Sequence, residues 1–138
     1  MEMCGTIEGI GCVNDSKATN VGATVAALSG IDQPVWLILG GRDKGSDFGA
    51  LLPYVESNVR SVLLIGEASE CIASALRGRV TLHECDTLEA AVDAGLAAAA
   101  PGDVLLLAPA CTSFDQYADF DERGRHFRAL IAAHAATH

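Results

Sequence analysis

The sequence predicts a doubly wound α/β domain with a mostly parallel sheet, helices on both faces and an antiparallel N-terminal edge. Three observations predict it. Short runs that are apolar at every position recur along the chain, as strands covered on both faces require. Segments of helical apolar spacing separate them, and strands alternating with helices become parallel neighbours joined by right-handed crossovers. The runs end in glycine, proline or polar residues, the punctuation of a strand's carboxyl end.

In chain order, Thr6-Ile7-Glu8-Gly9-Ile10 reads as a hairpin turning at Glu8-Gly9, which makes the first strands an antiparallel edge. The apolar stretch Ile10 to Val13 leads into a polar cluster, and a helix opens near Val21, with Val21, Val25 and Leu28 on one face. Val35 to Leu39 is a buried strand ending in Gly40-Gly41. Phe48, Leu51, Leu52 and Val55 form the next helical face, with Asp47 as its N-cap. Val62 to Ile65 ends in Gly66, and a weaker helix over Cys71 to Leu76 takes Ser69 as cap. Val80-Thr81-Leu82 is a strand, with His83 continuing it and its end near Cys85-Asp86. Thr87 caps a helix marked by Leu88, Ala91, Val92, Gly95 and Leu96, and Pro101-Gly102 is a turn. Val104 to Leu107 ends in Pro109, and Phe127, Leu130, Ile131 and His134 mark the last helix. No internal repeat, low-complexity tract or linker interrupts the pattern, so residues 1–138 read as one Rossmann-like domain.

Half of the 138 residues are apolar, enough for one proper core. A formal net charge of −9 with few aromatics argues against a nucleic-acid surface, which needs a basic stripe and stacking residues. No apolar run approaches the roughly 18–20 residues of a membrane span, and Met1 to Gly11 carries no signal-peptide pattern, so a cytoplasmic location is expected. Five cysteines without C-x-x-C spacing indicate neither a zinc site nor a disulfide framework. Cys12, Cys71 and Cys85 read as reduced, small core residues.

The chemistry concentrates in three loops. Asn14-Asp15-Ser16-Lys17-Ala18-Thr19-Asn20 packs an acid, a base, two hydroxyls and two amides between a strand and a helix. Free N–H groups and a positive dipole end lie at such a junction, ready for an anion. Lys17 adds a full charge, and Asp15 is placed to accept from a ligand hydroxyl or to hold the lysine. A helix cap needs only one such residue. Only Lys17 and Lys44 among nine basic residues are lysines, and both sit in such turns, where a compact ammonium meets a small anion. Gly40-Gly41-Arg42-Asp43-Lys44-Gly45 begins like a phosphate-binding loop, but its lysine lies inside the loop and suits a carboxylate, with Gly40, Gly41 and Gly45 letting the backbone approach closely. Pro109-Ala110-Cys111-Thr112-Ser113 offers two hydroxyls as donors, and Cys111 reads as packing rather than as a nucleophile. All three loops follow strands, so they are expected on one rim of the sheet. The charges from Asp115 to Arg128 read as a solvated, self-paired helix face, and His134 with His138 as a frayed tail rather than a metal pair.

NDSKATN at Asn14–Asn20, GGRDKGSDF at Gly40–Phe48 and LAPACTSFDQYADFDERGRHF at Leu107–Phe127 closely resemble the C-terminal domain of the D-glutamate-adding Mur ligases. The resemblance runs through essentially the whole chain in order, and its first motif is the most discriminating. It implies an ATP-dependent ligase that joins UDP-N-acetylmuramoyl-L-alanine to D-glutamate through an acyl phosphate during peptidoglycan synthesis. It further implies that Thr19, Lys44, Ser113 and the backbone at Phe120 hold the D-glutamate carboxylates. Asp15 and Lys17 would face the nucleotide, with Lys17 at the transferred phosphate. ATP and Mg2+ would be held mainly by a central domain, and the UDP-sugar by an N-terminal domain, neither of which this chain contains. The chain is therefore expected to be a truncated domain, inactive as a ligase alone and weak in its affinity for D-glutamate. No metal site is expected in it. A stand-alone module that binds an acidic small molecule or nucleotide without catalysis stays open to the sequence; an L-glutamate-specific, folate-type ligase is disfavoured by the NDSKATN stretch.

Overall fold

A computed structural model describes residues 1–137. Six strands form one sheet: β1 (Glu2–Ile7), β2 (Ile10–Asn14), β3 (Val35–Gly40), β4 (Val59–Ile65), β5 (Thr81–Asp86) and β6 (Val104–Leu107). Their spatial order is β1-β2-β6-β3-β4-β5, and only the β1–β2 pair is antiparallel. The edge hairpin turns at Glu8 and Gly9, both at positive φ (48° and 83°), as a tight two-residue turn demands.

Side-chain alternation divides the core in two. Leu37, Leu39, Val62, Leu64 and Leu106 point to the face covered by α1 (Val21–Ser29), a 3-10 turn (Phe48–Leu51), α2 (Leu52–Asn58) and α3 (Ser69–Leu76). Cys12, Ile38, Leu63, Ile65, Leu105 and Leu107 point to the face covered by α4 (Leu88–Ala98) and α5 (Phe120–Thr137), where Leu88, Val92, Phe127 and Ile131 are buried. Period-2 alternation inside runs that are wholly apolar is the sign of a sheet covered on both sides.

The topology places the candidate rim. The chain steps outward from β3 to β4 to β5, then α4 carries it back so that β6 inserts between β2 and β3. That reversal is a topological switch point, and the crevice beyond the strands' carboxyl ends there is where open α/β sheets take ligands.

Several local expectations are corrected. Asn20, Asp47 and Thr87 cap their helices through side-chain oxygens, but Ser69 does not. It lies one residue inside α3, and its hydroxyl donates back to the Gly66 carbonyl at 2.9 Å. Cys71 is exposed on α3, whereas Cys12 is buried and Cys85 half-buried. The charges between Asp115 and Arg128 do not form one helical face, because α5 begins only at Phe120 and Arg123 is buried. His134 pairs with Asp93 of α4 at 2.8 Å, and His138 lies outside the described residues. No described helix is long and apolar enough to cross a membrane.

At the opposite end of the sheet a polar staple locks the turn before β6. The Asp103 carboxylate accepts from the Trp36 indole N–H (2.9 Å) and the Ala100 N–H (3.0 Å), with Arg60 3.6 Å away. Burial raises its pKa, but these donors and the Arg60 charge outweigh burial, so the carboxyl titrates below its ordinary value. A depressed folded-state pKa stabilises the fold above the unfolded value and loses that contribution as pH falls through the folded value. Asp103→Ala is therefore expected to cost about 2–3 kcal/mol at neutral pH. Urea midpoints at pH 7 and pH 3 check this: the gap between variant and parent should narrow at the lower pH.

Candidate functional site

The loops after β2, β6 and β3 are stitched side by side at the switch point. The Asp15 N–H donates to Leu107 O (2.7 Å), and the Ala110 N–H donates to Ala18 O (3.0 Å). On the other flank, the Gly40 N–H donates to Pro109 O (3.0 Å), while Arg42 and Thr112 exchange backbone bonds of 2.9 and 3.2 Å. Thr24 of α1, fully buried, donates its hydroxyl to Ala108 O at 2.9 Å. The three sequence motifs thus form one continuous rim, as the order of strands requires.

Within the first loop three polar side chains are spent on the fold. Asn14 Oδ1 accepts from the Ser16 N–H (3.0 Å), Asn20 Oδ1 caps α1 through the Ala23 N–H (2.8 Å), and Ser16 Oγ donates to Phe120 O (2.7 Å). The Asp15 carboxylate does not hold Lys17; its nearest cation is the Met1 ammonium at 3.7 Å. Lys17 is exposed and forms no ion pair among the described residues. The half-buried Thr19 hydroxyl has no hydrogen-bond partner there either. Beside this loop a cavity of about 270 Å³ is lined by Asn14, Asp15, Lys17, Phe120, Arg125 and Arg128, among others.

The second loop corrects the role expected of its glycines. A Cβ on Gly40 would lie 1.9 Å from Ile65 O, and one on Gly41 2.2 Å from Thr112 O. Both positions are consumed by backbone packing inside the protein, not by approach to a ligand. Gly45 has nothing within 4 Å and faces open space. Arg42 pairs with Glu67 at 3.3 Å, and Asp43 Oδ1 accepts from the Ser46 N–H at 2.9 Å. Lys44 is exposed without an ion pair among the described residues, and it lines no cavity in common with Lys17.

Hydrogen-bond accounting separates the two hydroxyls of the third loop. Thr112 Oγ1 donates to Arg42 O at 3.1 Å and is spent on the fold. Ser113 Oγ is buried with no partner, an arrangement that costs free energy unless something supplies an acceptor. Cys111 is 2% exposed, and burial pushes its thiol up to about 12, so it packs rather than attacks. Phe120 opens α5; its carbonyl is taken by Ser16, while its N–H, in the helix's first turn, has no intrahelical acceptor.

Arg123 is the residue that sequence reasoning missed. Its guanidinium is 1% exposed, and burial pulls its pKa down to about 10, which leaves it charged at neutral pH. Nε donates to Ser16 Oγ (2.9 Å), and Nη2 donates to Ser16 O (2.6 Å) and Cys111 O (3.1 Å). The signal was present: Arg123 stands four residues before Phe127 and eight before Ile131, on the buried stripe of α5. Among the described residues no group of three or more His, Cys, Asp or Glu side chains could hold a metal ion.

Comparison with known proteins adds three findings. Residues 1–111 match the family model described as Mur ligase, glutamate ligase domain. The chain is 46% identical over 132 residues to the UDP-N-acetylmuramoylalanine–D-glutamate ligase of Salinibacter ruber, covering 95% of this chain and 29% of that protein. It is 47% identical over 131 residues to the enzyme of the same name from Methylococcus capsulatus, covering 95% of this chain and 28% of that one. This chain therefore spans under a third of the length of the curated relatives it matches. Among solved structures, the murein peptide ligase of Psychrobacter arcticus superposes with a TM-score of 0.64 at 14% identity, over 99% of this chain and 29% of that one. That likeness concerns the fold alone.

Proposed function

Because this chain belongs to the Mur ligase family, as its glutamate ligase domain, we propose that it presents D-glutamate to UDP-N-acetylmuramoyl-L-alanine in an ATP-dependent ligation. One observation carries the reading. At the rim, Ser16, Asn20, Arg42, Asp43 and Thr112 are claimed by the protein, while the Thr19 hydroxyl, the Lys44 ammonium and the Ser113 hydroxyl are not. Unclaimed donors at adjoining loops suit a dianionic amino acid, since bonds to carboxylates are stronger than neutral ones.

In this reading Lys44 meets one carboxylate, and Thr19, Ser113 and the Phe120 N–H share the other. Ser113 Oγ is shut off from solvent in the present conformation, so contact requires its χ1 to rotate. With the carboxylates held, the amine faces the neighbouring domain, where ATP has converted the carboxylate of UDP-N-acetylmuramoyl-L-alanine, the acyl donor, to an acyl phosphate. Attack of the amine forms a tetrahedral intermediate, and phosphate leaves. Lys17, exposed beside the cavity that Asp15 also lines, offers its ammonium to the charge that develops on that phosphate. The nucleotide and the UDP-sugar bind elsewhere in the full-length protein, so this chain alone should bind D-glutamate weakly and turn nothing over.

Titration of the 138-residue chain with D-glutamate, followed by amide chemical shifts, tests the assignment. Shifts at Thr19, Lys44, Ser113 and Phe120, larger than L-glutamate produces, are expected; silence around Lys44 would sink it. Ser113→Ala should weaken binding about tenfold while leaving stability unchanged or slightly raised, because an unpaired buried hydroxyl is removed. Thr112→Ala should do the opposite, lowering the urea midpoint, since its hydroxyl bonds Arg42 O.

A further inference from the structure

We propose that Arg123 is the positioning residue of this site: one guanidinium sets the first and third ligand loops relative to each other and to the start of α5. The inference rests on the reading above for what the loops bind, but not for the geometry. The first loop is gripped twice, through Ser16 Oγ and Ser16 O, immediately before Lys17. The third is gripped at Cys111 O, two residues before Ser113. The second loop lies alongside without a bond: only a Cβ added to Gly41 would stand 3.3 Å from Arg123 Nη1, which is buried and makes no hydrogen bond. Ser16 then relays the grip to the start of α5, donating its hydroxyl to Phe120 O.

The fork geometry explains why an arginine stands here. Three bonds to two loops leave one rigid plane, which a lysine's single nitrogen cannot reproduce. The site faces outward and the guanidinium is sealed beneath it, so it acts on a ligand only through the loops. No carboxylate lies within ion-pair distance of it among the described residues, so nothing but these carbonyls and the serine hydroxyl holds the charge in place. A buried cation kept without an ion pair is costly, and a hydrophobic side chain would fill the stripe of α5 more cheaply.

Arg123→Lys in the 138-residue chain provides the test, read by amide shifts with and without D-glutamate. The variant is expected to fold, with Lys17, Ser113 and Phe120 resonances moving together while those around Asp103, at the far end of the sheet, stay put. Affinity for D-glutamate should fall about tenfold or more. Millimolar guanidinium added to Arg123→Ala should return the three resonances toward their original positions, a rescue that a generic loss of packing would not show. Shifts confined to α5, with Lys17 and Ser113 unmoved, would overturn the proposal. Should neither arginine variant fold, Ser16→Ala removes the relay and the Nε bond but keeps both Nη2 bonds, and unmoved Lys17 and Phe120 resonances there would overturn it equally. A parent chain blind to D-glutamate would defeat the functional reading, and the ligand-free shifts would still decide the role of Arg123.

Discussion

Replacing Gly40 by alanine is expected to abolish cooperative folding of this chain. The new methyl would stand 1.9 Å from Ile65 O, 2.8 Å from its carbonyl carbon and 2.9 Å from its nitrogen. All three are backbone atoms of β4, which is paired on both sides by β3 and β5, so no rotamer change relieves the overlap. A φ of 135° adds strain that any L side chain would feel. The cost should exceed about 4 kcal/mol, a large share of a small domain's stability. Circular dichroism through a urea gradient should show no two-state transition, and a normal midpoint would refute the packing argument. Gly45→Ala supplies the contrast within the same loop. With φ at 84° but open space around it, it should cost only about 1 kcal/mol of backbone strain.

Lys44→Met is expected to remove most of the affinity for D-glutamate while leaving the fold intact. The ammonium is exposed and makes no ion pair among the described residues, so its loss should change stability by less than about 0.5 kcal/mol. A charge-assisted contact to a carboxylate is worth about 1.5–3 kcal/mol, which corresponds to a loss of roughly 10- to 100-fold. Lys44→Arg should recover only part of this, because a planar fork does not occupy the position of a point charge. Calorimetric titration at low salt, where the contact is least screened, provides the measurement. Affinity unchanged in Lys44→Met would remove this lysine from the site and weaken the case for the loop as a whole.

Much of the fold was legible because its signals are local. Wholly apolar runs at Val35–Leu39 and Val104–Leu107 need cover on both sides, and the helical periods between them supply it. The Glu8-Gly9 turn announces its hairpin for the same reason. The errors fell where a residue's partner is remote in sequence. Gly40 and Gly41 look like a ligand-approach loop until Ile65 O and Thr112 O are seen beneath them. Ser69 is the local exception, a residue that reads as a cap until its hydroxyl is found on the Gly66 carbonyl three positions back. Asp15 and Lys17, two residues apart, invite pairing, yet the Asp15 carboxylate lies nearest the Met1 ammonium.

The chain's pattern of apolar periods and loop chemistry was enough to establish the α/β class, the order of its elements and the three polar loops that meet on one rim of the sheet. Periodicity and turn residues act over a few positions, so they survive in one dimension. Contacts between residues far apart in the chain settled the rest: which hydroxyl is spent on the fold and which is left over, and why a charged side chain in the last helix is buried. Arg123 is 107 residues from Ser16, and a hydrogen bond across that separation exists only once β6 has slid between β2 and β3.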